Sequence, residues 1–331
     1  MKYPLRHFGT AIIAAGFLLL TSAAIPRPSF AGTLSTEVIG MFPENVGEFA
    51  YADMKAARQY PWFSQLREQL LPSRFRQFEK FLISAGVDPN TQVDELAWGA
   101  VRSPKNGGAQ IVGVAVGDFN PSESEERFKQ QKLPVVTIDG YQLYAYGSGT
   151  GPSDILFTFI DANTAAFGQR AALQQLIDVR NGAAQSLLDN SQLSPLINEA
   201  NGNGIIWAVL DKSYTHLAIH QLIPQAAQFP QATPIINRMR AMTIEIQADS
   251  GVDAQFQAVC SSPDDANLLA AGLQGALMLR RYQEARSNPD LASALDQVRV
   301  SPNGDRLKVD APVSQDQLLS LIRTRAFAVP M

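Results

Sequence analysis

Two histidines four residues apart, His216 and His220 in SYTHLAIHQLI, have the spacing best suited to chemistry. On a helix they would share a face, as two metal ligands do. No glutamate stands between them in the zincin position, and no acid or cysteine is near enough in sequence to be an obvious third ligand. Their expected role is that of polar residues on a helix flank beside Ile219 and Ile223. No metal or other cofactor is assigned.

The other chemical candidates weaken in the same way. Gly147-Ser148-Gly149-Thr150-Gly151 has the glycine spacing of a phosphate cradle, but it lacks the P-loop lysine and leads through Pro152-Ser153-Asp154 into a strand. It reads as a hairpin tip, and Asn201-Gly202-Asn203-Gly204 reads likewise. No G-x-S-x-G elbow occurs, so a serine nucleophile would have to borrow one of the two histidines. Asp53 and Asp211, at equivalent strand ends, are the best carboxylate pair, and helix capping already accounts for both. Tyr141, Tyr144 and Tyr146, with Phe49, Tyr51 and Trp98, could line a groove for a glycan or apolar ligand, or could be core. Cys260, the only cysteine, alternates with Ala254, Phe256 and Ala258 on the inward side of a strand, a small buried hydrophobe. No catalytic or cofactor-binding residue is nominated.

The elements that would position these residues come in two passes. A strand at Val46 to Met54 ends in Asp53 as a helix cap. Helical segments follow, one carrying Phe63, Leu66 and Leu70, the next Phe75, Phe78, Phe81 and Leu82 up to Gly86. Strands are expected at Glu95 to Arg102 and Ala109 to Phe119, across a turn at 103–108. Asn120-Pro121 starts a helix, strands run over Val136 to Tyr146 and Asp154 to Phe167, and a helix carries Leu173, Leu176 and Ile177.

The second pass opens at Gly204 with a strand ending in Asp211. Helical stretches follow at Ser213 to Gln228 and Pro234 to Met239, then strands Ala241 to Ala248 and Asp253 to Cys260, joined by Asp249-Ser250-Gly251. A helix from Pro263 to about Ala285 is capped by Ser262, a hairpin turns at Asn303-Gly304, and a last helix carries Leu318, Leu321 and Ile322. Asp53 answers to Asp211, Pro121 to Pro263, and Leu173-x-x-Leu176-Ile177 to Leu318-x-x-Leu321-Ile322.

The expected fold is therefore α+β: two tandem β-α-β-β-α-β-β-α units, mainly antiparallel sheets with helices packed on one face. The expected division is residues 32–186 and 204–331, with 187–203 as connector. The strand over 109–119 has no polar side and should be covered on both faces; 241–248 and 253–260 alternate and should leave one face wet.

The first 31 residues read as a signal peptide. Lys2 and Arg6 precede an uncharged apolar run from Phe8 to Ile25, and Ser29 and Ala31 form a small-x-small cleavage site before Gly32. Removing Lys2, Arg6 and Arg27 but no acid takes 27 basic and 31 acidic residues to 24 and 31, a net charge of -7. That balance argues against nucleic acid or anionic lipid as main partner. The expected location is periplasmic or secreted, with the chain soluble after cleavage.

Gly86-Val87-Asp88-Pro89, Val93-Asp94-Glu95-Leu96-Ala97, the opening from Pro43 to Asp53 and the doubled layout resemble duplicated α+β families of exported bacterial proteins of unknown function. The resemblance implies an envelope location and two related halves, and transfers no catalytic residues. The expectation is a non-enzymatic envelope protein, a binding or structural module whose partner is another envelope protein or an apolar small molecule. The alternatives are a carrier of a lipid or small apolar ligand and, third, a hydrolase.

Overall fold

The computed structural model describes residues 32–71, 73–102, 109–222, 234, 236–248 and 251–323. The signal segment, the turn at 103–108 and most of the stretch from 223 to 235 lie outside the described residues. No helix among the described residues is long and apolar enough to cross a membrane.

In chain order, strand β1 (Val46–Asp53) is followed by helices α1 (Phe63–Leu70) and α2 (Ser73–Ser84), then β2 (Val93–Arg102) and β3 (Ala109–Gly117). Helix α3 (Pro121–Gln130) leads to β4 (Val135–Ile138), β5 (Tyr141–Tyr146), β6 (Ile155–Phe159), β7 (Thr164–Gly168) and α4 (Arg170–Arg180). Next come α5 (Ser194–Ala200), β8 (Ile206–Asp211), α6 (Lys212–Leu222), β9 (Met239–Ala248) and β10 (Gly251–Cys260). The chain continues through α7 (Pro263–Glu284), α8 (Pro289–Leu295), β11 (Arg299–Asn303), β12 (Arg306–Ser314) and α9 (Gln315–Arg323). This is an α+β fold with antiparallel strand pairing.

The chain forms two compact units. Unit one comprises Thr33–Ala56 and Leu71–Ser194; unit two takes in Ala57–Leu70 as well as the chain from Pro195 onward. The division expected at 186 thus differs from the compact units. The stretch 57–70 is anchored inside unit two, where Trp62 is buried, Tyr60 donates to Ala248 O at 2.8 Å and Gln69 Nε2 donates to Ile322 O. The expected connector carries core residues: Leu187 and Leu193 are buried in unit one, and Leu196, Ile197 and Ala200 in unit two.

Within unit one the strand order is β1-β2-β3-β7-β6-β5-β4. Two strands expected to be continuous are each folded in half. The run from Val136 to Tyr146 breaks at Asp139 (φ 45°) and Gly140 (φ 86°), two successive left-handed residues that pair Ile138 with Tyr141 in a tight hairpin. The run from Asp154 to Phe167 breaks at Asp161–Asn163, where the Asp161 carboxylate accepts from the Asn163 amide at 2.8 Å.

One face of β5–β7 presents Tyr144, Tyr146, Phe157 and Phe167 to Phe78 and Phe81 of α2 and Phe128 of α3. Phe128 lies 4.8 Å from the Tyr144 ring and 5.3 Å, edge on, from Phe157. The alternate residues Leu143, Leu156 and Ala166 are buried too, and α4 packs against β3, β6 and β7 with Leu173, Leu176 and Ile177 buried. Helices on one face only is therefore corrected for this unit. Strands whose two faces are both apolar must be covered on both sides.

Unit two has the order β11-β12-β10-β9-β8. Here β10 alternates without a break, its even positions buried and its odd positions half-buried. Ala258 and Leu307 meet Ala270 of α7 on the inner face. The hairpin between β11 and β12 turns on Gly304 and Asp305, one residue later than expected, with positive φ at Gly304 alone. A helix that the sequence reading passed over, α8, starts at Asn288-Pro289, the Asn288 side chain accepting from Leu291 N.

Candidate functional site

Two open cavities, one within each unit, are lined by residues whose placement follows from strand register. In unit one a cleft of about 420 Å³ opens where β1, β2 and β3 end, lined by Asp53, Lys55, Asp94, Glu95, Gly117 and Asn163 among others. Antiparallel pairing sets Asp53 opposite Glu95. Asp53 Oδ1 also accepts from Ala56 N at 2.7 Å, the capping role expected of it. Lys55 Nζ meets Asp94 Oδ2 at 3.1 Å, an exposed pair that contributes little to stability. Asn163 closes the far side, donating to Gly117 O at 2.9 Å.

Burial pushes the Glu95 carboxyl above the usual carboxylate range, the Asp53 and Asp94 charges push the same way, and the Tyr51 hydroxyl draws it back. Tyr51 itself is raised by burial and then by the neighbouring carboxylates. The cleft thus holds one reluctant acid, Glu95.

In unit two a groove of about 330 Å³ lies on the polar face of the sheet. Its floor is Thr243 and Glu245 of β9 with Gln255 and Gln257 of β10, which register pairs as Gln255–Glu245 and Gln257–Thr243. Lys308 adds a cation from β12, opposite Gln257. The rim is Glu199, Asn203 and Arg306. Arg306 grips Glu199 through its two terminal guanidinium nitrogens, at 2.6 and 3.0 Å. This two-point geometry fixes both side chains at the rim. Burial raises the Glu245 carboxyl, while Asn203 and Lys308 oppose the rise.

The residues singled out in the sequence do not converge. His216 and His220 both lie on α6 and His216 is half-buried; the His220 side chain is outside the described residues. No group of three His, Cys, Asp or Glu able to hold a metal occurs among the described residues. Asp211 caps α6, accepting from Ser213 N and Tyr214 N. The glycine-rich loop is closed around the chain's own anion: Gly151 N and Ser148 Oγ both donate to Asp154 Oδ2 at 2.9 Å. Phe49, Tyr51 and Tyr144 are buried and line neither of the two cavities. Cys260 is buried in β10, which pushes its thiol up to about 11.

Sequence reasoning missed the groove because its parts are ordinary. The signal that could have found it was the polar alternation of Thr243, Glu245, Gln255 and Gln257, read only as a wet face.

No family model matches the chain, and no curated protein does. Among solved structures, crystal form I of TP0453 is similar with 11% identity and a TM-score of 0.48, covering 90% of this chain and 100% of that one. Crystal form IV of TP0453 gives 12% identity and a TM-score of 0.48, over 87% and 97% of the two chains. Likeness at that level assigns no activity.

Proposed function

We propose that the protein is an exported, non-enzymatic binding module of the bacterial envelope, and that its ligand is a small polar molecule or polar segment of a macromolecule held in the groove of unit two. The observation that carries this is the groove's floor: amide, hydroxyl and carboxyl groups on alternate positions of two paired strands, flanked by Lys308 and a fixed Arg306–Glu199 pair. Such a surface offers many hydrogen bonds and no nucleophile with an adjacent base. The residues of both cavities are largely polar or charged, which weighs against a carrier of a lipid or small apolar ligand.

Two related halves are part of the same proposal. The orders β1-β2-β3-β7-β6 and β8-β9-β10-β12-β11 correspond strand for strand, with the β4–β5 hairpin an addition to the first. Asp53 and Asp211 cap at the same point, as do Asn120 and Ser262. Opposite Asp211 stands Ala241 where Asp53 has Glu95, so the acidic cleft has no counterpart in unit two.

The test is calorimetric titration of the processed protein with a panel of short oligosaccharides and peptides. Binding that is lost in Gln255→Ala/Gln257→Ala with an unchanged melting temperature supports the reading. Binding that survives that change overturns the assignment to this groove, and silence across the whole panel overturns the class of ligand.

The hydrolase reading rests on one observation, the raised Glu95 carboxyl in register with that of Asp53. Turnover of nitrophenyl glycosides or esters that disappears in Glu95→Gln would establish it.

A further inference from the structure

Helix α7 is apolar on two sides. Its inner side, with Ala266 and Ala270 buried and Leu269 and Leu273 half-buried, packs on the sheet of unit two. A surface helix ordinarily turns charge to the other side. Here Leu268, Met278, Leu279 and Tyr282 are exposed at 53%, 71%, 52% and 82%. At 100° per residue, Leu268, Gly272, Gly275, Leu279 and Tyr282 fall on one stripe along the helix. A Cβ placed at Gly272 or Gly275 would meet nothing within 4 Å, so the middle of this stripe is open to a neighbour.

The arrangement is symmetric end to end. About the midpoint between Leu273 and Gln274, Leu268 answers to Leu279, Ala271 to Ala276 and Gly272 to Gly275. That midpoint is also the middle of the helix, which spans Pro263–Glu284. A face of this kind is complementary to itself when turned through half a rotation, which is the requirement for a twofold interface. The glycines at the crossing point let two helices approach at the near end of the usual 8–10 Å.

The helix dipoles agree with the same orientation. Near the helix ends Asp265 is held by Arg238, Arg280 by Glu284 and Arg281 by Asp296, so these charges are spent within the chain. Antiparallel pairing opposes the two macrodipoles, whereas a parallel pairing would set like ends together.

We propose that the exposed face of α7 is a self-association surface on which a second copy of this chain docks antiparallel, Leu268 of each copy against Leu279 of the other. The interface is one helix wide, about 1,000 Å² in all, in the range of weak, transient interfaces, so the dimer is reversible. It is separate from the groove and does not depend on what the groove binds.

Sedimentation equilibrium of the processed protein, from about 1 to 200 μM, is the first measurement, and a concentration-dependent monomer–dimer equilibrium is expected. Leu268→Lys and Leu279→Glu should each be monomeric over that range with the wild-type melting temperature. An equimolar mixture of the two should recover the dimer, because each mixed pair sets Lys against Glu at one contact and Leu against Leu at the other. A wild type that stays monomeric, or a mixture that fails to recover association, overturns the proposal. So does a monomeric wild type that floats with anionic phospholipid vesicles, which would give the face to a lipid surface.

Discussion

Asp53 and Glu95 stand opposite each other across the β1–β2 pair, and the two carboxyls are unlike: one caps the helical turn that follows β1, the other is raised by burial. An acid whose folded-state pKa lies above its unfolded value binds more protons folded than unfolded between those two values. Its burial therefore costs stability as pH rises through the window, starting from the ordinary glutamate value of about 4.3. Glu95→Gln should melt higher than wild type at pH 8, with the gain fading as pH approaches 4. Melting curves of both proteins across pH 4 to 8 check this; a gain that grows on acidification would contradict it.

Asp154 acts in the opposite sense. Burial pushes its carboxyl up, but the Ser148 hydroxyl and the Gly151 and Gly149 amides outweigh that and hold it below the usual range. Its contribution is present above the unfolded aspartate value and is lost as pH falls through the lowered folded value. Asp154→Asn should lower the melting temperature at pH 7 and make no difference at the acid end, read by the same pH series.

Two glycine substitutions separate crowding from backbone conformation. A Cβ on Gly117 would sit 1.9 Å from Gln92 O, so Gly117→Ala should destabilise by about 1–3 kcal/mol through forced displacement of β2 from β3. At Gly140 the space is open and φ is 86°, so Gly140→Ala should cost only about 1 kcal/mol of left-handed strain. Urea denaturation ranks the two.

Phe128 is wholly buried among Tyr144 and Phe157, and Phe128→Ala should cost about 3–5 kcal/mol. Met278→Ala, on the open face of α7, should stay within about 0.5 kcal/mol in the monomer. Equal losses would mean that the α7 face is covered within one chain.

Cys260, raised to about 11 by burial, should resist thiol reagents in the native protein at pH 8 and react fully in denaturant. Rapid labelling of the folded chain would place the strand outside the core.

Local chemistry was legible where one residue type settles the backbone. Asn120-Pro121 and Ser262-Pro263 start helices where the capping rule puts them, and Gly86 takes the left-handed turn that ends α2. Asp139-Gly140 was an equally strong hairpin signal, hidden because the apolar alternation on its two sides reads as one strand. Asn303-Gly304 was recognised as a turn but placed one residue early, since glycine can serve either central position. The groove was legible only as a wet face, and the acidic cleft only as Asp53. Glu245 and Glu95 become unusual only when pairing across strands and burial bring other groups around them, and neither effect has a local sequence signature.

The interleaving of the units bears on how the chain is made. Because Ala57–Leu70 belongs with the chain from Pro195 onward, no single cut releases either half whole. A fragment ending at Ser194 leaves Trp62 and its helix without the surroundings that bury them, and one starting at Pro195 lacks the segment that donates to Ala248 and Ile322. During synthesis that early segment must wait, unhoused, until the last third of the polypeptide has emerged. Maturation is then a job for the complete chain, and a helper that shields apolar surface has a defined stretch to shield.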